Sequence, residues 1–545
     1  MAKSLAQTSP TAERTRQSAE SVVRAQAGNE LFFAVVGHVG SGTSQVARML
    51  ISELVKKRSR VSPYQVFVLK ARDEIETWAR EQGQSIEHPK SPTLQYTRRL
   101  QDLGDEMRQS GDHAAVARRL IERISVTRAR AQNLAENEVT RGDVIEPDGK
   151  PRAYILDAIR HPDEVHLLRS VYQNAFTLIG VVCDDEVERI KRLTRKYEDC
   201  GEKNAKDFMR RDAKAPEKHG QRVADAFHLA DVFIDNSANR SESSTHAGSQ
   251  SPNVEDQLDR IVKLITHDEI VRPTVAETAM YHAYGAMMRS ACLSRQVGCA
   301  LMDINGTLIA TGTNEAPRAG GGVYGDNFER GAHGGDTDDR VDHRCAYRET
   351  AYCSNTREQN TIIDALMAEL VDSGLCQNEH NERLKKILRD SRIGGLLEFS
   401  RAVHAEMDAL LTAARKGCSP VGARAFVTTY PCHYCARHLV TSGVDEVQYI
   451  EPYPKSLAPT LHADAITKQS ADWTPPSRGG HKVLFRPFTG VAPRMYRRVF
   501  LKDRALKNDE TGDMEIGEAA WAHAWHLGRA SYVQLESLLT RNRRD

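Results

Sequence analysis

The sequence predicts an α/β protein built from two unlike halves. Short unbroken apolar runs alternate with helix-compatible stretches through the first half. A segment dominated by Ser, Asn, Gly and Thr follows at 236–250, and beyond it come a hairpin pattern and a compact set of histidine and cysteine residues. At 545 residues the chain exceeds what one hydrophobic core holds, so at least two domains are expected.

Residues 1–28, rich in Ala, Ser, Gln and Arg, read as a disordered leader. Order begins at Leu31-Phe32-Phe33-Ala34-Val35-Val36, a run suited to a strand covered on both faces of a parallel sheet. Further runs of this kind lie at 65–69, 153–156, 176–182 and 231–234, which places one domain over 29–236 and a linker over 237–255. A second domain is expected over 256–481. It opens with a helix near 275–290 and a hairpin whose Asn305-Gly306 pair tolerates positive φ. An irregular insertion runs from 320 to about 357, and helix, strand and helix resume from 395 to 443. Residues 482–545 read as a C-terminal extension.

Composition narrows the function. Lys and Arg number 75 against 74 Asp and Glu, a net charge of +1, which disfavours a chain that grips long polynucleotides by neutralising phosphates. Hydrophobic content of 40% with no apolar run near the ~20 residues of a membrane span predicts a soluble protein. The polar N-terminus has no apolar signal region, and ten cysteines are spread over the chain. A cytoplasmic protein whose cysteines are thiols or metal ligands is therefore expected.

The most informative residues are His404-Ala405-Glu406 and Pro431-Cys432-His433-Tyr434-Cys435. Cys432 and Cys435 stand one helical turn apart, so both sulfurs can face one zinc ion, and His404 supplies a third ligand. The fourth position stays open for water, as in catalytic rather than structural sites. Glu406, two residues past the histidine, is placed to move protons beside that water. This is the division of labour of zinc nucleobase deaminases. The alternative is a structural zinc knuckle or a pair of free core cysteines.

Cys292-Leu293-Ser294-Arg295-Gln296-Val297-Gly298, followed by Thr311-Gly312-Thr313-Asn314-Glu315-Ala316-Pro317, resembles the opening of the deoxycytidylate deaminases. The family pattern has Tyr, Gly and Ala where this chain has Thr313, Glu315 and Cys299. The resemblance implies that Asn314 holds the nucleotide near zinc and that Tyr453 and Lys455 reach its sugar and phosphate. A turn asparagine and a solvated lysine are the alternatives. Cys292 matches a cysteine that holds a second zinc in some phage-type members, and His343, Cys345 and Cys353 would complete that set. Unliganded thiols are the other reading.

In the first half, Gly37-His38-Val39-Gly40-Ser41-Gly42-Thr43-Ser44 has the frame of a P-loop, G-x-x-x-x-G-K-[ST], with Thr43 where the lysine belongs. Its glycines let backbone N–H groups surround phosphate, Ser44 is placed for Mg²⁺, and Asp157 stands where a Walker-B carboxylate would. Without the lysine, a regulatory nucleotide is expected rather than kinase turnover; a retained fold that binds no nucleotide is the alternative. The segments 188–195 and 230–236 resemble parts of nucleotide-kinase folds.

Together, a P-loop kinase-like parallel-sheet domain and a cytidine-deaminase-like α/β/α domain resemble the bacterial anti-phage dCTP deaminases. That resemblance implies a zinc-dependent enzyme that converts dCTP and dCMP to their uracil forms and so lowers the deoxycytidine pool during phage replication. It further implies a homo-oligomer and a resting state that a small RNA inhibits in some members. The competing functions are a deaminase of tRNA or single-stranded DNA, a housekeeping dCMP deaminase, and a nucleotide-gated regulator.

Overall fold

The computed structural model describes residues 26–541 except 57–64, 135–141, 216, 238–251, 268, 327–341, 349, 376–380, 392, 397, 454, 471, 503–505 and 516–528. The leader expected over 1–28 lies outside the described residues up to 25, and the linker expected over 237–255 lies outside them from 238 to 251. The strands are β1 (Glu30–Val36), β2 (Gln65–Lys70), β3 (Arg152–Asp157), β4 (Phe176–Val182), β5 (Val232–Asp235), β6 (Gly298–Met302), β7 (Leu308–Thr313), β8 (Arg424–Thr429), β9 (Glu446–Glu451), β10 (Ile466–Thr467), β11 (Val483–Pro487) and β12 (Gly490–Val491). They form two six-stranded mixed sheets.

The first sheet runs β12-β5-β4-β1-β3-β2, with β1 to β5 mutually parallel and β12 antiparallel at the edge. The unbroken apolar run of β1 has a plain cause. Phe32, Ala34 and Val36 point into one core, and Leu31, Phe33 and Val35 into the core on the opposite face. The second sheet runs β10-β11-β9-β8-β6-β7, antiparallel across β7, β6 and β8 and parallel from β8 to β10. In its β6–β7 turn the Asp303 carboxylate accepts from the N–H groups of Asn305 and Thr307 at 2.9 and 2.7 Å. Gly306 alone takes positive φ, 81°, and Asn305 does not, because Asp303 already closes the loop.

Two expected boundaries need correction. The helix Val254–Thr266 falls mostly within the expected second domain, yet its face of Leu258, Ile261, Val262 and Ile265 packs into the core of the first sheet. The described residues of 482–541 do not stand apart as the expected extension. β11 joins the second sheet, β12 three residues later joins the first, and Phe488 between them meets Phe233 edge-on at 6.1 Å. The helix Arg529–Arg541 then returns to the first half, burying Tyr532 and Val533. Its Glu536 and the β1 residue Glu30 share the fully buried Arg128, with N–O distances of 2.7 Å to each.

Candidate active site

Two helix starts meet at one point of the second sheet. His404 is the N-cap of the helix Ala405–Arg415, and Cys432 is the N-cap of the helix His433–Thr441. The Cys432 sulfur accepts the Cys435 N–H at 3.5 Å, which turns both thiols toward the same side. His404 Nδ1 lies 3.3 Å from each Sγ. Zinc bonds of normal length to one nitrogen and two sulfurs imply ligand edges of about 3.5 Å, so this donor set fits zinc. Among the described residues no fourth His, Cys, Asp or Glu joins the group, which leaves one tetrahedral corner open.

Without a metal's charge, electrostatics favour the ligating form at Cys432, while the hydrogen bond to Cys432 pushes the Cys435 thiol up and the His404 imidazole up to about 9. The Cys432 thiol is pulled down to about 4 by hydrogen bonds from Cys435 and His404, so it is held as the thiolate that metals bind. Glu406 follows in the first helical turn with only 3% of its surface exposed. Burial and the nearby Cys432 charge push its carboxyl up to about 7. A carboxyl poised there exchanges protons readily near neutral pH.

The surrounding framework explains how these starts stay in place. A Cβ on Gly312 would fall 2.1 Å from the Ala405 carbonyl and 2.3 Å from the Ala409 nitrogen, so only glycine lets β7 lie directly on the His404 helix. The Asp408 carboxylate accepts the Thr313 N–H at 3.0 Å and pins the same contact. Gly312→Ala is expected to cost about 1–3 kcal/mol through overpacking against backbone. It should also lower zinc occupancy together with activity, read by a denaturant midpoint and a metal assay.

Glu315 is the residue the sequence reading missed. It stands where the family pattern has glycine, and it bridges to Val403, the residue before the ligand histidine. Its carboxylate also accepts from the Ala291 N–H at 2.7 Å and pairs with Arg344 at 3.8 Å. No local motif signals this role, because its partners lie 24 to 88 positions away.

Asn314 is buried, its Oδ1 accepting from the Val297 N–H and its Nδ2 donating to the Arg295 carbonyl, each at 2.6 Å. It thereby fixes the turn that carries Arg295. Tyr453 is half-buried, close enough to Cys432 to sense its charge, and packs under the Arg295 guanidinium at 5.9 Å. Lys455 is exposed. Cys292, Cys345 and Cys353 line one small cavity of about 30 Å³. Among the described residues no three of the expected second-zinc residues Cys292, His343, Cys345 and Cys353 bring ligand atoms within 4.8 Å of one another; the Cys353 Sγ lies 3.3 Å from Ser294 Oγ and the Cys345 Sγ 4.0 Å from Ser354 Oγ.

In the first sheet, Gly37 to Gly42 connect β1 to the helix Thr43–Lys56, with Gly40 and Gly42 at φ of 82° and 90°. Gly40, Gly42, Thr43, Ser44 and Asp157 line one cleft of about 790 Å³. Gly37 and Ser41 lie beneath the loop, where a Cβ on Gly37 would meet the Ser41 hydroxyl at 2.5 Å. Arg192, from the basic segment 188–195, turns inward and donates to the Ser41 carbonyl at 3.3 Å and the Asn236 carbonyl at 2.8 Å. A cluster of His113, His161 and Asp163 elsewhere is a helix cap. His161 Nδ1 accepts the Asp163 N–H and Nε2 meets the Lys218 carbonyl, so neither ring nitrogen is left for a metal.

The family described as the cytidine and deoxycytidylate deaminase zinc-binding region matches residues 273–451, which contain His404, Glu406, Cys432 and Cys435. The deoxycytidylate deaminase of Enterobacteria phage T2 is 32% identical over 183 residues, 33% of this chain and 82% of that enzyme. The chain belongs to the deoxycytidylate deaminase family. The phage T4 deoxycytidylate deaminase is 30% identical over 183 residues, covering 33% of this chain and 80% of that one. The apo crystal structure of the dCMP deaminase from cyanophage S-TIM5 aligns at 17% identity, covering 40% of this chain and 100% of that chain, with a TM-score of 0.21. Residues before 273 lie outside the family match. No described helix is long and apolar enough to cross a membrane.

Proposed function

We propose that this deaminase-family chain hydrolyses the 4-amino group of deoxycytidine nucleotides, dCMP and dCTP, with zinc held by His404, Cys432 and Cys435. The observation that carries the reading is the buried Glu406 beside a three-donor site with one open corner. Zinc, when bound, supplies the Lewis acidity that makes water nucleophilic near neutral pH. Glu406 accepts a proton from the attacking water, passes it to ring N3 and later delivers one to the departing ammonia. A C–O bond forms at C4, the C–N bond breaks, and no oxidant or reductant is needed.

Tyr453 lies near Cys432, Arg295 packs over its ring at 5.9 Å, and Arg295 is held against Glu451 at 3.2 Å. We assign Arg295 and Tyr453, with Lys455, to the sugar–phosphate end of the substrate. Asn314 retains one amide hydrogen for the ligand after serving the Arg295–Val297 turn. The glycine loop of the first sheet is assigned to a regulatory nucleotide, with Ser44 and Asp157 toward its Mg²⁺. The strand order β2-β3-β1-β4-β5, with the loop directly after central β1, supports this assignment. A role in depleting deoxycytidine nucleotides during phage infection is part of the same proposal and rests on the resemblance to the anti-phage dCTP deaminases.

The test offers zinc-loaded protein dCMP, dCTP and a cytosine-containing oligonucleotide and measures ammonia. Release from the free nucleotides, at least a hundredfold faster than from the oligonucleotide, is expected. Preference for the oligonucleotide would overturn the substrate assignment.

A further inference from the structure

We propose that the cleft beside the glycine loop reads a nucleobase through the paired amides of Gln101 and Gln221. The inference rests on the assignment of the loop to phosphate and adds the chemistry of the ligand's other end. Both glutamines line the same cleft as Gly40, Gly42, Thr43 and Ser44. Gln101 is only 4% exposed, and its Nε2 donates to Gln221 Oε1 at 2.9 Å. Its Oε1 has no partner among the described residues. A buried amide oxygen left unpaired is costly, and native folds keep such groups where something else completes them.

The pair has a defined complement. Among the described residues Gln221 Nε2 makes no hydrogen bond, so the two side chains present one acceptor and one donor together. Reversing both amides exchanges the two groups and still leaves one of each. An acceptor beside a donor matches the edge of a nucleobase, whose ring nitrogen and exocyclic group alternate in the same way. Ile75, Leu100 and Phe208 line the same cleft and supply apolar surface for a ring.

Charge is arranged to match. Arg48, Lys70 and Lys90 line the cleft, and none of them has a carboxylate within ion-pair distance among the described residues. These cations supply the positive charge that Thr43 does not, as phosphate recognition requires. A volume of about 790 Å³ is ample for a nucleotide. A phosphate or a polyanion alone would leave the buried amides unanswered, so the occupant is a nucleoside triphosphate.

The test is calorimetric titration of the full zinc-loaded chain, with Mg²⁺, by ATP, GTP, dTTP and inorganic tripolyphosphate. None of the three nucleotides carries cytosine. At least one is expected to bind tenfold or more tighter than tripolyphosphate. Gln101→Leu should bring that nucleotide to the tripolyphosphate level, leaving tripolyphosphate affinity and the KM for dCMP unchanged; Gln221→Met serves as the second variant. Nucleotides that bind no tighter than tripolyphosphate, or that bind both variants as they bind the wild type, would overturn base reading while the phosphate site stands. Loss of tripolyphosphate binding along with nucleotide binding in both variants would make the glutamines structural and overturn it too. If neither nucleotide nor tripolyphosphate binds the wild type, the phosphate assignment falls and the proposal falls with it.

Discussion

Glu406→Gln is expected to slow ammonia release from dCMP by about 10²–10⁴-fold while the protein keeps one zinc per chain. Glutamine has nearly the same volume, so the buried niche at the start of the Ala405–Arg415 helix stays filled. None of the three donor atoms belongs to residue 406, and the metal should remain. What disappears is a group that can take a proton from water and hand it on. Metal content separates this outcome from a collapsed site, because loss of zinc would assign Glu406 a structural part. A rate within threefold of wild type, with zinc bound, would remove it from the proton-transfer role.

Arg128→Met is expected to destabilise the chain by about 3–5 kcal/mol in denaturant unfolding. Arg128 is fully buried and is the cation for two buried carboxylates, Glu30 on β1 and Glu536 on the C-terminal helix. Tyr154 and Tyr532 donate to Glu30 and Tyr172 donates to Glu536, so the network is satisfied only with the guanidinium in place. Methionine fills much of the space yet strands both anions, and burial already holds the Glu536 carboxyl above its ordinary range. Partial recovery is expected when Glu536→Gln is added, since one stranded charge is then removed. The zinc site lies on the other sheet, so dCMP deamination at low temperature should change little. An Arg128→Met variant as stable as wild type would show that the C-terminal helix is held by its apolar contacts alone.

What could be read from the sequence divides along physical lines. The strands of the first sheet were legible because burial on both faces writes itself as a continuous apolar run, as in β1 and β4. His404, Glu406, Cys432 and Cys435 were legible because each half of the motif is a local helix start, and only the joining of the halves needed the fold. The division of residues 482–545 between the two sheets was not, since β11 and β12 are short and their pairing is chosen by strands up to about 260 positions away. Glu315, Gln101 and Gln221 were invisible for the same reason. Their partners are remote, and a lone Glu or Gln carries no pattern. The second zinc set rested on a resemblance at Cys292 with His343, Cys345 and Cys353 added from the insertion, and residues scattered over about 60 positions carry no spacing pattern that fixes their ligand atoms together.

X-ray absorption at the zinc edge of the purified protein tests the central claim most directly. Two sulfurs at about 2.3 Å and two lighter atoms at about 2.0–2.1 Å, one of them exchangeable water, are expected from His404, Cys432, Cys435 and an open corner. Three or four sulfurs, or a protein that takes up no zinc at all, would contradict it.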